Sequence, residues 1–126
     1  MKYLGIDYGR SKIGLAVSDG KLAEPLKVIR YKDASAINEQ IKQIIQKEKI
    51  GKVIVGVSEG KMAEESKKFG LALNLQPLVL EFFDETLSSH DAQELSRQTG
   101  MSRKKRRELE DAFAASIMLQ SYIDYV

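Results

Sequence analysis

Four acidic residues stand where an apolar segment ends or where a helix turns small side chains inward. Asp7 closes the run "YLGID", Asp84 and Glu85 follow "PLVLEFF", and Asp111 sits in "EDAFAASIML". Asp111 shares a helical face with Ala114, Ala115 and Met118, so that face is expected against a sheet, with the carboxylate pointing inward. If the strands ending at Asp7 and at Asp84 are neighbours, their carboxylates converge. An isolated buried carboxylate is costly, and several that converge require cations to neutralise them. The chain has no cysteine and one histidine, His90, so any metal must be held by oxygen, which selects hard ions such as Mg²⁺ or Mn²⁺. The absence of cysteine also excludes disulfides and thiol catalysis, and fits a reducing cytoplasm. Glu59, in "VGVSEG", reads as a loop acid, and His90, beside Ser88 and Ser89, as a surface or capping residue.

The elements that must position these acids follow from periodicity. "YLGIDYG", "KIGLAVSD" and "EPLKVIRY" are strand-like and closely connected, which predicts an antiparallel meander. In "DASAINEQIKQIIQKEKIG" the period becomes helical: Ile37, Ile41, Ile44 and Ile45 share a face, Asp33 or Ser35 can cap the start, and Gly51 can end it. "KVIVGV" is a short apolar run expected of a strand covered on both faces, and "MAEESKKFGLALN" places Met62, Phe69 and Leu73 on one helical side despite Gly70. "PLVLEFF" is a further strand, and "SSHDAQELSRQ" and "SRKKRRELEDAFAASIMLQSYIDYV" are helical. The order βββαβαβαα predicts an α/β fold, a mixed five-stranded sheet with helices on both faces, whose sites form at the carboxyl ends of the parallel strands. With 126 residues and no linker or repeat, residues 1–126 read as a single domain. The apolar opening is too short and too interrupted for a signal peptide or a membrane span.

The net charge of +2 is too small to imply nucleic acid, but its distribution is uneven. Arg103, Lys104, Lys105, Arg106 and Arg107 are consecutive and precede Asp111 on the same predicted helix. Such a run is either a solvated helix start or a patch for phosphates. Lys104 and Arg107 fall on about the same face as Asp111, so they could hold a phosphate beside it. Gly9 and Gly14 have the spacing of a phosphate-binding P-loop, but Leu15 and Ala16 stand where its lysine and hydroxyl belong, and that motif is rejected.

"GIDYGRSKIGLAVSD", "VIVGV", "FFDETLSS" and "EDAFAASIML" together resemble, in order and over nearly the whole chain, the four signature segments of the YqgF family, also called RuvX. The resemblance implies an RNase H-like fold related to Holliday-junction resolvases. It also implies a candidate nuclease role in maturing the 5′ end of pre-16S rRNA during ribosome biogenesis, with branched DNA as the alternative substrate and a non-catalytic nucleic-acid-binding assembly module as the other. Carried over by motif, Asp7, the acid at Asp84 or Glu85, and Asp111 are the metal-binding catalytic carboxylates of a two-metal phosphodiester hydrolysis. The chain departs from the family pattern at Thr86, where an arginine is usual, and in the short "VSEGK" segment around Ser58 to Gly60. The "DYGRSKIGLAVSD" stretch also resembles the first phosphate motif of sugar kinases and actin-like ATPases, but these grip nucleotide between two lobes and this chain supplies one.

Overall fold

Alternating apolar residues in the first three strands give the sheet two different faces, and each face recruits its own helices. The computed structural model describes residues 1–57, 60–75, 77–84 and 102–126. Strands β1 (Tyr3–Asp7), β2 (Lys12–Ser18) and β3 (Ala23–Arg30) are followed by helix α1 (Ala34–Glu48), β4 (Lys52–Val57), helix α2 (Lys61–Ala72), β5 (Val79–Asp84) and helix α3 (Arg103–Tyr125). The sheet order is β3-β2-β1-β4-β5. β1 pairs antiparallel with β2 and parallel with β4, and β4 pairs parallel with β5. The expected mixed five-stranded sheet is therefore present, with the meander at one side and the βα units at the other. The helix expected over residues 88–98 lies outside the described residues.

One face carries Leu4, Ile6, Ile13, Leu15, Val53 and Val55, and buries them against Ile37 and Ile41 of α1 and Phe69 of α2. The opposite face carries Ala16 and Ile54 beneath Ala115, Met118, Leu119 and Tyr122 of α3. Fully burying a large aliphatic side chain is worth about 1.5–3 kcal/mol, so these two layers supply most of the drive to fold. α3 can lie close because the sheet beneath it is thinned by glycine: a Cβ on Gly5 would meet Leu119 Cβ at 3.0 Å. The β2–β3 turn is fixed to the same helix, where Gln120 accepts from the Ala23 N–H at 2.8 Å and donates to the Lys21 carbonyl at 3.1 Å.

Helix ends follow local chemistry in one case and tertiary contacts in another. Asp33 caps α1, its carboxylate accepting from the Ser35 N–H at 3.1 Å. The helix does not run to Gly51. It ends at Glu48, Lys49 takes the left-handed conformation at φ 56°, and the Gly51 N–H donates to the Lys2 carbonyl at 2.7 Å. Gly70 survives inside α2 because a Cβ there would meet the Phe82 ring at 2.8 Å. Among the described residues no helix is long and apolar enough to cross a membrane.

Candidate active site

Asp7 is the last residue of β1, half-buried, and both of its lateral neighbours lack side chains: Gly14 faces it on β2 and Gly56 on β4. A strand interior normally fills such positions with β-branched residues. Here the ladder is cleared around a carboxylate. Immediately beyond, the chain turns back into β2 so tightly that a Cβ on Gly9 would sit 2.5 Å from the Lys12 carbonyl oxygen, which only glycine avoids.

Contacts from two elements pin this turn. Tyr31, at the end of β3, donates its hydroxyl to the Gly9 carbonyl and its N–H to the Ser11 carbonyl. Burial, then hydrogen bonding with Tyr8, pushes the Tyr31 phenol up to about 12. Arg10 makes a two-pronged contact with Glu65 of α2, Nη2 to Oε2 at 2.9 Å and Nε to Oε1 at 3.2 Å. That guanidinium holds the Glu65 carboxyl below its usual range. The Tyr8 ring packs on Phe69 of the same helix at a centroid distance of 4.9 Å.

Asp111 reaches this place from α3. A Cβ on Gly14 would lie 1.9 Å from the Asp111 carbonyl oxygen and 2.7 Å from the Ala112 nitrogen, so the helix backbone rests directly on Gly14, the ladder partner of Asp7. Gly14 is thus the contact that brings Asp7 and Asp111 together. The Asp111 carboxylate is paired: Lys12 Nζ lies 3.0 Å from its Oδ2, with the two side chains 38% and 30% exposed. By strand alternation Lys12 falls on the same sheet face as Gly14 and Ala16, the face α3 covers.

Asp84 is placed differently from the sequence expectation. β1 and β5 are not neighbours, because β4 lies between them. Asp84 pairs with Val57, one residue beyond the Gly56 that pairs with Asp7, so it stands two strand spacings away, about 10 Å. Alternation puts Glu81 and Phe83 toward α3, where Phe83 meets Tyr122 edge-on at 5.6 Å, and puts Leu80 and Phe82 toward α1 and α2. Asp84 has the parity of the second set. Among the described residues no group of three acidic or imidazole side chains is close enough to hold a metal. Glu59, Glu85, Thr86 and His90, and Ser58 of the short loop, lie outside the described residues.

The expected basic run opens α3, with Ser102 capping the helix by accepting from the Lys105 N–H at 3.2 Å. Lys104, Lys105 and Arg107 are exposed. Arg10, Lys12, Arg30 and Lys61 belong to the same end of the sheet: the β1–β2 turn, the start of β2, the end of β3 and the start of α2. Cationic residues therefore stand on several elements at the end of the sheet that carries Asp7, and Lys12 among them meets Asp111. Sequence reasoning had missed Lys12, although its place two residues before Gly14 assigns it to the face of α3. It had also missed Tyr31, whose contact depends on how β3 ends against the turn and carries no local signal.

A family model described as RuvX, Holliday junction resolvase, matches residues 1–125. Curated relatives named as candidate pre-16S rRNA nucleases include one from Anaeromyxobacter sp. (strain Fw109-5), 35% identical with 98% of this chain and 97% of that protein covered. Another, from Halothermothrix orenii, is 37% identical over 99% of this chain and 96% of that protein. Among solved structures, Thermus thermophilus RuvC bound to a Holliday junction superposes with a TM-score of 0.67 at 16% identity, over 99% of this chain and 96% of RuvC. The fowlpox virus Holliday junction resolvase gives a TM-score of 0.64 at 12% identity over the whole of both chains. These structures share the resolvase fold.

Proposed function

This chain belongs to the RuvX family, and from that premise we propose that it is a nuclease cutting phosphodiester bonds of structured nucleic acid, with the 5′ end of precursor 16S rRNA as its substrate. The observation that carries the reading is the seating of α3 on Gly14, which sets Asp111 beside Asp7 at the end of the sheet where cationic residues gather. A purely structural role would not explain an acid flanked on both sides by glycine.

The donor set suits a hard divalent cation. Asp7 and Asp111 offer carboxylate oxygens from two rigid elements, and the missing side chain at Gly14 lets the helix that carries Asp111 approach the strand that carries Asp7. A third acid comes from the end of β5. It is Asp84 or Glu85, and of the two Asp84 has the parity of Leu80 and Phe82. When bound, Mg²⁺ or Mn²⁺ supplies Lewis acidity and a water of lowered pKa. The protein's part is to hold the carboxylates in place, with the Tyr31 and Arg10 contacts keeping the turn after Asp7 from shifting. Lys104, Lys105 and Arg107 hold backbone phosphates, which fixes the position of the strand without reading its bases.

The test offers the purified protein a 5′-extended pre-16S rRNA fragment and a synthetic four-way DNA junction, each with Mg²⁺ or with chelator. Cleavage of the RNA fragment with Mg²⁺ and none with chelator is the expected result. Cleavage of the junction alone would transfer the activity to branched DNA. Binding without cleavage of either substrate would make the protein an assembly module.

A further inference from the structure

Lys12 has no role of its own in the reading above beyond adding to the local positive charge, yet its ammonium holds Asp111 at 3.0 Å. Its ladder partner on β3 is Arg30, a like charge directly across the strand pair, which disfavours a side chain lying along the sheet toward β3. Asp111 lies on the other side, carried by the helix that rests on Gly14. Lys12 also shares its strand with Gly14, so any movement that seats α3 on the sheet seats Asp111 against Lys12.

We propose that Lys12 is a built-in competitor for the metal: its ammonium neutralises Asp111 in the metal-free protein and must leave that carboxylate before a divalent ion can take it. The inference rests on the reading of Asp7 and Asp111 as the metal-holding pair. Metal loading is thereby weakened in the free enzyme and completed when substrate phosphates add oxygen ligands. A tethered ammonium at an exposed site competes modestly, because side chains of this exposure form pairs of small net strength. Its removal should therefore tighten Mn²⁺ binding by about two- to five-fold.

Mn²⁺ titrations of the full chain without substrate, by calorimetry and by thermal melting, test this on wild type, Lys12→Met, Lys12→Arg and Asp111→Asn. Lys12→Met keeps an apolar stem but removes the charge. It should melt lower than wild type in chelator, gain more from Mn²⁺, and bind the ion about two- to five-fold more tightly. Lys12→Arg should behave as wild type, and Asp111→Asn should bind weakly with or without Lys12. Equal or weaker Mn²⁺ affinity in Lys12→Met, with binding still lost in Asp111→Asn, would overturn the role of Lys12 and leave the site reading intact. Mn²⁺ affinity unaffected by Asp111→Asn would overturn both.

Discussion

Two lysine–carboxylate pairs lie between the sheet and α3, one at each end, and they are alike in length but not in surroundings. Lys12 meets Asp111 at 3.0 Å and Lys52 meets Glu81 at 3.1 Å. At the second pair Lys52 also donates to the Tyr122 hydroxyl at 2.6 Å, and the Tyr122 ring is flanked edge-on by Tyr3 and Phe83. Hydrogen bonds from Tyr122 and from Lys52 hold the Glu81 carboxyl below its usual range. The first pair has glycine where the second has aromatic rings: Gly14 lies under Asp111, and Gly14 and Gly56 flank Asp7. Rings cover one pair and fasten helix to sheet. At the other, Gly14 yields its ground to the helix backbone, and the Asp111 side chain stays 30% exposed and so reachable by a ligand.

The largest expected effect comes from refilling that ground. Gly14→Ala would put a methyl 1.9 Å from the Asp111 carbonyl oxygen, and backbone on both sides must move. Overpacking of this kind costs about 1–3 kcal/mol, and the upper end is expected because no flexible side chain can yield. Urea unfolding should show that loss together with lost cleavage. Wild-type stability would mean that α3 is not seated on Gly14.

Tyr122→Phe sharpens the comparison from the other end. It keeps the rings and removes the hydroxyl, so unfolding should show a loss of about 1 kcal/mol with cleavage unchanged. A parallel fall in cleavage would show that the two ends of α3 are not independent.

A smaller effect concerns the turn beside Asp7. The Tyr31 phenol is raised from near 10 to about 12, chiefly by burial. The native state therefore keeps a proton that the unfolded chain releases first. The stabilisation is fully present below pH 10 and is lost as pH rises toward about 12. Stability measured across this window should fall less steeply in Tyr31→Phe than in wild type. Identical profiles would remove the hydroxyl's contact with Gly9 from the argument.

The smallest effect is at Glu81, whose depressed carboxyl stabilises the native state above about pH 4.5 and ceases to do so as pH falls through its folded value. Its side chain is 45% exposed, so the acid limb of the stability profile should be only slightly shallower in Glu81→Gln. A large change would indicate a drier pair than the one described.

The order of the described elements was legible because each run of apolar residues keeps one period: alternation in β2, and i, i+4 spacing at Ile37 and Ile41. Strand order was not legible, since nothing local in "PLVLEFF" says that it pairs with "KVIVGV" and not with "YLGID". For the same reason the sequence could offer Asp7 and Asp111 as candidates but not their route to one another, which depends on a missing side chain at Gly14. The end of α1 was misplaced because the Gly51 N–H is taken by the Lys2 carbonyl, leaving Lys49 to adopt the left-handed turn. The Lys12–Asp111 pair joins the second strand to the last helix, a contact no periodicity encodes.

The most direct measurement compares Asp7→Asn with wild type in two assays on the same preparation: cleavage of the 5′-extended pre-16S rRNA fragment in Mg²⁺, and thermal melting in chelator. If Asp7 stands between two glycines to serve the reaction, cleavage falls by about 10²-fold or more, as expected when a charged group acting on the transition state is lost. The melting temperature then stays nearly level, because asparagine keeps the size of the side chain and removes only its charge. Retained cleavage with a strongly lowered melting temperature would contradict this and make Asp7 a structural residue of the strand.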